Sequence, residues 1–321
     1  MKVLRLAGKI ALALLILAAG AVAFLYFVRP GLEAEAAHRY SPAPQPGALT
    51  ATWFGVTAVL LSDGEHSIFI DPFFTRPPGF LNLVRNATIA PDEALIREWL
   101  ARAGVTKLDA VLVSHSHYDH AMDAAVVARL TGARLAGSAS TANIGRGGGL
   151  PDARLDTIKP GEPLNYGSFK VTFIQSRHAG ATGGAPTGDI VSPLVPPATY
   201  LDYRQGGAFS ILIEHAQGAL LHHGSAGFVP GALAGRYADV VFLGVALLPD
   251  LDTYLANTVD AVGAKRVIPV HWDDFTRPLS QPLLPFPFVV RLDRFFEQMK
   301  RRPELTVQTL AVGQPAALFP K

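Results

Sequence analysis

Ser114-His115-Ser116-His117-Tyr118-Asp119-His120 follows a short apolar run, Asp109-Ala110-Val111-Leu112-Val113, and leads into a helical stretch over 121–130. Three imidazoles and a carboxylate fall within six residues. Neutral imidazole nitrogen and carboxylate oxygen are good ligands for divalent transition metals such as zinc. A turn at the end of a buried strand can aim His115 and His117 at one ion and Asp119 and His120 at a second. The chain has 10 His among 321 residues, so this density is not the grouping that chance produces.

The spacing His-X-His-X-Asp-His at a strand–helix junction resembles the signature of the metallo-β-lactamase superfamily. The resemblance runs from residue 51 to about 310. It takes in Asp71 at the end of an earlier strand, His178 just after the strand that ends in Gln175, and His271 in Val-Ile-Pro-Val-His-Trp. The contexts Ile-Asp-Pro-Phe-Phe and Pro-Val-His-Trp look most like the branch containing L-ascorbate-6-phosphate lactonase and N-acyl-phosphatidylethanolamine phospholipase D. The resemblance implies an α/β fold, an αββα sandwich with the metal site along one sheet edge. By position, His115, His117 and His178 would hold one metal, and Asp119, His120 and His271 a second. A metal-bound hydroxide would then attack an ester, phosphodiester or lactone. One or two zinc ions are the expected cofactor, with other divalent transition metals as substitutes, and the expected substrate is small or lipid-like. Asp71 is expected to orient a ligand or the local backbone. Asp123, three residues beyond His120, is expected either to cap or orient the helix or to be an ordinary structural residue.

One position departs from the pattern. The family places a bridging aspartate in a Gly-Asp-Thr-Gly-like turn after a late strand. Here that turn reads His223-Gly224-Ser225-Ala226-Gly227. Ser225 and Asp119 are the candidate catalytic residues, and a neutral hydroxyl is a poor replacement for an anionic bridge. His222, His223 and the more distant Asp189 are candidate compensators, with His223 the nearest. Asp119 then faces two dications as the one fixed anion, so one tight and one weak ion are expected. The same departure motivates a rival reading, a metal-binding or ligand-sensing protein with little turnover.

Working outward, the apolar run Trp53–Leu61 reads as a strand. A turn at Ser62-Asp63-Gly64 pairs it with a second strand over 66–71. Helical spacing covers 91–103, with Leu95, Ile96, Trp99 and Leu100 on one side and Gly104 as the stop. Strands are expected at 134–136, 169–175, 208–214 and 219–222. Strand and helix then alternate over 239–243, 251–262, 266–270 and 287–301, which suggests two sheets with helices outside. Residues 179–205 form a long Gly- and Pro-rich loop that borders the site after His178. Phe73, Phe74, Phe80, Leu81 and Leu83 are either core packing or an apolar surface for substrate or bilayer.

The N-terminus has a separate character. Ile10 to Val28 carries no charge over 19 residues. At about 1.5 Å per residue it spans roughly 28 Å, close to a ~30 Å hydrocarbon core. Lys2, Arg5 and Lys9 precede it, so the positive-inside rule keeps the N-terminus cytoplasmic and exports the rest. Residues 1–37 therefore read as a signal anchor, or as a signal peptide cleaved near Ala34-Glu35-Ala36. Residues 38–50, with Pro42, Pro44 and Pro46, read as an extended linker, and 51–321 as the hydrolase domain. The absence of Cys excludes disulfides and thiolate metal sites. Of 28 basic and 26 acidic residues, four and two lie in 1–37, which leaves the remainder neutral. A neutral domain is not expected to bind nucleic acid.

Overall fold

The computed structural model describes residues 2–29, 31–77, 79–180 and 186–320. In chain order the first half contains α1 (Lys2–Phe27), α2 (Leu32–Ala37), β1 (Thr50–Trp53), β2 (Val59–Ser62), β3 (Ser67–Ile70), α3 (Phe80–Val84), β4 (Thr88–Ile89), α4 (Glu93–Arg102) and β5 (Ala110–Leu112). The short α5 (Tyr118–Ala121) and α6 (Ala124–Thr131) follow, then β6 (Arg134–Gly137), α7 (Ala139–Gly147) and β7 (Leu155–Thr157). The second half contains β8 (Pro163–Tyr166), β9 (Phe169–Ser176), β10 (Ala198–Thr199), β11 (Ala208–His215), β12 (Gly218–His223), β13 (Val240–Gly244) and α8 (Leu251–Asn257). It ends with β14 (Arg266–Val270), α9 (Leu292–Met299), β15 (Thr306–Val307) and β16 (Ala316–Ala317).

These strands form two seven-stranded sheets, ordered β16-β1-β2-β3-β5-β6-β7 and β15-β14-β13-β12-β11-β9-β8. Alternation along the strands explains how the sheets stack, because successive side chains point to opposite faces. Leu61, Ile68, Ile70, Ala110 and Leu112 join Val171, Phe173, Ile211 and Ile213 in the layer between the sheets. Leu60, Phe69 and Val111 face the other way, onto Ile96, Trp99, Leu100 and α6. Asp92 starts α4 by accepting from Leu95 N at 3.0 Å, and Gly104 at φ 68° follows its end. The result is an αββα arrangement.

Several elements differ from the sequence reading. Trp53–Leu61 is two strands, β1 and β2, separated by a tight turn over 54–58. Phe54 N donates to Ala58 O at 2.9 Å, and Gly55 and Val56 have φ of 82° and 46°. A Cβ on Gly55 would lie 1.9 Å from Arg76 Nη2 and 2.8 Å from Asp273 Oδ2, so any side chain there would have to displace that buried ion pair. The helix expected over 251–262 breaks into α8 and a 3-10 turn at Asp260–Val262, and that over 287–301 shortens to α9. Phe73 and Phe74 are buried core residues, whereas Leu81 is exposed and Leu83 partly buried. The side chain of Phe80 and residues 181–185 of the long loop lie outside the described residues.

The start of the expected linker does not run free. Tyr40 N donates to Thr309 O, Thr309 N donates to His38 O, and Tyr40 Oη donates to Ala317 O at 2.8 Å. α2 lies on α9, with Leu32 and Ala34 packed on the core and His38 stacked on Phe296. α1 has a different environment. Its Arg5–Phe24 stretch has mean hydropathy 2.2 and none of it is buried.

Candidate metal centre

The chemistry-bearing residues all sit where strands end. Asp71 follows β3, residues 114–120 follow β5, His178 follows β9, and His271 follows β14. Clefts beyond carboxyl ends of parallel strands are the usual ligand positions in α/β sheets. Donor atoms of His115, His117 and His178 lie within 4.8 Å of one another, and so do those of Asp119, His120 and His271. Four of these six residues come from one segment. His178 and His271 are added by the second sheet.

Hydrogen bonding decides which nitrogen each ring presents. His117 Nε2 donates to Pro186 O at 3.0 Å, which leaves Nδ1. His178 Nδ1 donates to Ala179 O at 2.9 Å, which leaves Nε2. His115 Nε2 is buried with no hydrogen-bond partner. His120 Nδ1 donates to Asp71 Oδ2 at 2.9 Å, so its Nε2 is a lone pair. That lone pair lies 3.3 Å from His271 Nε2 and 3.6 Å from Asp119 Oδ2, while His271 Nε2 is 3.4 Å from Asp119 Oδ2. Buried lone pairs turned toward one another, with a carboxylate, form a donor set suited to a cation.

Electrostatics agree with that reading for His115, His117, His178 and Asp119, while His120 shifts the other way. Burial holds His115 well below the ordinary imidazole value, and the neighbouring His120 and His117 rings add to it. Burial lowers His117 despite the pull of Asp119, and lowers His178 to about 4. These rings are therefore neutral donors at pH 7, as metal binding requires. Burial opposes the charge on Asp119, but His120 and His271 outweigh it and keep the carboxylate ionised. His120 moves upward, because Asp119 and Asp71 overcome the cost of burial.

Around these six residues lies a frame that sequence reasoning found only in part. Fully buried Asp71 accepts from Ser114 N at 2.7 Å, Ser114 Oγ at 2.6 Å, Thr57 Oγ1 at 2.9 Å and His120. The 54–58 turn supplies Thr57 and also Val56, whose carbonyl accepts from His271 N at 2.7 Å. Val56 N in turn donates to Asp273 Oδ1 at 2.7 Å, and Asp273 pairs with buried Arg76. Asp71, Val56 and His271 all have positive φ, at 47°, 46° and 58°. Backbone in this region is strained for non-glycine residues and gathers at functional sites. Thr57, Val56 and Ser114 carry no motif, so nothing short of the fold reveals them.

The remaining candidates separate. Ser225 Oγ accepts from Ala179 N at 2.8 Å, so it fastens the backbone beside His178. His223, expected nearest the site, turns to the opposite face of β12. Its Nδ1 meets Ser210 Oγ at 2.7 Å and its ring packs on Tyr254. Strand alternation makes His222 the inward residue instead, with Nε2 donating to Thr57 O at 2.9 Å. Asp189 is exposed in the long loop. Asp123 makes no cap to its own helix. Its Oδ2 accepts from Phe74 N and Thr75 N, both at 2.7 Å, which ties the segment after Asp71 to α6.

Comparison with known proteins points the same way. The family described as "Beta-lactamase superfamily domain" matches residues 66–272. A UPF0173 metal-dependent hydrolase from Desulforamulus reducens is 30% identical over 230 residues, covering 69% of this chain and 83% of its own length. One from Myxococcus xanthus is 28% identical over 256 residues, 77% of each chain. Among solved structures, the metallo hydrolase Igni18 from Ignicoccus hospitalis superposes with a TM-score of 0.54 at 18% identity, covering 84% of this chain and 97% of that one.

Proposed function

This chain belongs to the beta-lactamase superfamily and is a metal-dependent hydrolase, and from that premise we propose that it cleaves an ester-type bond at a two-cluster zinc centre. The observation that carries the reading is the pair of three-residue donor groups at one sheet edge, each with its ligand atoms within 4.8 Å. His115, His117 and His178 would hold one ion, and Asp119, His120 and His271 the other. Zinc, when bound, supplies Lewis acidity toward a substrate oxygen and acidifies water at neutral pH. The chain's own residues hold the donors ready. Asp71 keeps the proton of His120 on Nδ1, Pro186 does the same for His117 at Nε2, and Ala179 fixes the ring of His178. Asp119 is the carboxylate at the centre. The contexts around Asp71 and His271 resemble the lactonase and phospholipase D branch, which favours a phosphodiester, lactone or other ester in a small or lipid-like molecule.

Ser225 bears on occupancy. A serine brings no carboxylate to the centre from that position, and its hydroxyl is engaged by Ala179 N. Zinc titration of the metal-free protein is therefore expected to show one tight and one weaker ion, with Ser225→Asp tightening the weaker. A screen of ester, lactone and phosphodiester substrates on the loaded protein should then give turnover. Two equally tight ions, unaltered in Ser225→Asp, would overturn the reading of Ser225. Full metal with no turnover on any ester would favour the rival, a metal-binding or ligand-sensing role.

We further propose that α1 anchors the protein in a membrane with the domain exported. The uncharged stretch and its preceding Lys2, Arg5 and Lys9 support this. A reporter active only outside the cytoplasm, fused after Lys321, should work. A reporter active only inside would reverse the orientation.

A further inference from the structure

The apolar stretch of α1 ends at Phe24, and five residues later the chain is locked into the domain. The Arg29 side chain is 5% exposed, with Nη1 on Asp274 Oδ2 at 3.0 Å and on Pro285 O at 2.9 Å. Gly31 follows at φ 108° and packs so closely on α9 that a Cβ would lie 2.5 Å from Asp293 N. α2 then runs along α9. Among the described residues, Arg29 and Gly31 are already fixed against the domain just beyond the end of α1 at Phe27. If α1 spans a bilayer, the segment around Asp274 and Pro285 is therefore held at the bilayer surface.

Large apolar side chains are exposed on the segments tied to that junction. Phe288 is 53% exposed and Leu247 42%, with φ of 64° and 53°. Their segments are joined by Leu247 N donating to Val289 O. Leu81 and Val84 on α3 are 63% and 65% exposed. Gly79, which precedes α3, donates to Thr276 O, and Thr276 N and Oγ1 donate to Asp274, the carboxylate that holds Arg29. Backbone strain that turns a phenyl ring and an isobutyl group toward water is unfavourable in solution. A lipid surface removes the second part of that cost.

We propose that Leu81, Val84, Leu247 and Phe288, grouped around the Arg29–Asp274 junction, form a face that rests on the lipid bilayer. The proposal depends on the reading of α1 as a membrane anchor. It makes the contact a fixed docking surface and not a flexible tether, and it places that surface behind the metal centre. Phe286 stacks on Phe275 at 4.6 Å, and Phe275 packs on the rings of His271 and Tyr118.

The chain has no cysteine, so one introduced cysteine carries a label uniquely. Phe288→Cys and Leu81→Cys, each bearing an environment-sensitive fluorophore, would be reconstituted as full-length protein into phosphatidylcholine–phosphatidylglycerol vesicles. Glu65→Cys, in the β2–β3 turn at the opposite end of β3 from Asp71, is the control. Both labels should brighten and be quenched by nitroxide-bearing acyl chains, with the control unaffected. Protein that floats with the vesicles while both labels stay water-exposed overturns the surface and leaves the anchor standing. Labels that are shielded but unquenched overturn it in favour of a second copy of the chain. Failure to float overturns the anchor and the surface together.

Discussion

His117→Ala is expected to strip most bound metal and reduce turnover by well over 100-fold. Even partners that only orient a ligand typically contribute about 10–100-fold to affinity or activity. A direct donor should exceed that. His117 is buried, with ring centroids 4.8 Å from His115 and 4.7 Å from His178. Its removal leaves two nitrogens where three converge, and Pro186 O keeps Gln205 N as a donor. The fold should survive, because the ring lies beyond the end of β5 and its hydrogen bond goes to a loop carbonyl, Pro186 O. Metal analysis of the folded variant, with activity on whichever ester the screen identifies, reads the outcome. Wild-type metal content in folded His117→Ala would remove His117 from the donor set, and the assignment of the first cluster would go with it.

The difference between what the sequence discloses and what it conceals follows from locality. His115, His117, Asp119 and His120 are legible because the chemistry and the backbone that presents it lie within six residues. His178 and His271 are legible only through resemblance, since each alone is an ordinary histidine after an apolar strand. The 54–58 turn is concealed by its own composition. Phe54, Val56 and Ala58 continue the apolar run, and a β-branched residue at φ 46° contradicts local preference. What holds Val56 there is Asp273, 217 positions away. Arg29 and Asp274 are 245 apart, and no periodicity links them. His222 and His223 show the remaining weakness. A one-residue choice on a strand exchanges the inward face for the outward one, and neither side chain carries a mark of which is which. Long-range satisfaction of buried polar groups is written in the fold, and pattern reading reaches it only where a family resemblance has already marked the position.

Asp71→Ala should be among the most damaging single changes available in the domain, and Asp71→Asn separates its two roles. The carboxylate accepts from Ser114 N, Ser114 Oγ, Thr57 Oγ1 and His120 Nδ1, all buried. Alanine leaves these donors without an acceptor, at roughly 1–3 kcal/mol for each that finds no other partner. It also places a residue that disfavours positive φ at 47°. A net loss of about 3–5 kcal/mol is expected, a melting temperature lower by about 10 °C. Asparagine tolerates the backbone and keeps one acceptor oxygen, but its amide cannot accept from Ser114 N and its charge is gone. Asp71→Asn should therefore fold while losing about 10–100-fold in affinity for the ion on the His120 side. Acid behaviour distinguishes the two forms again. Burial works against the ionised Asp71, yet His120 and the hydrogen bonds outweigh it and hold the carboxyl below its ordinary value. A depressed carboxylate contributes stability above its unfolded pKa, about 3.9, and loses it as pH falls through the folded value. The metal-free wild type should thus lose stability more steeply below about pH 4 than metal-free Asp71→Asn. Coincident acid profiles, together with unchanged affinity for the second ion, would show that Asp71 is a passive core residue and that the orientation of His120 comes from Thr57 and Ser114 alone.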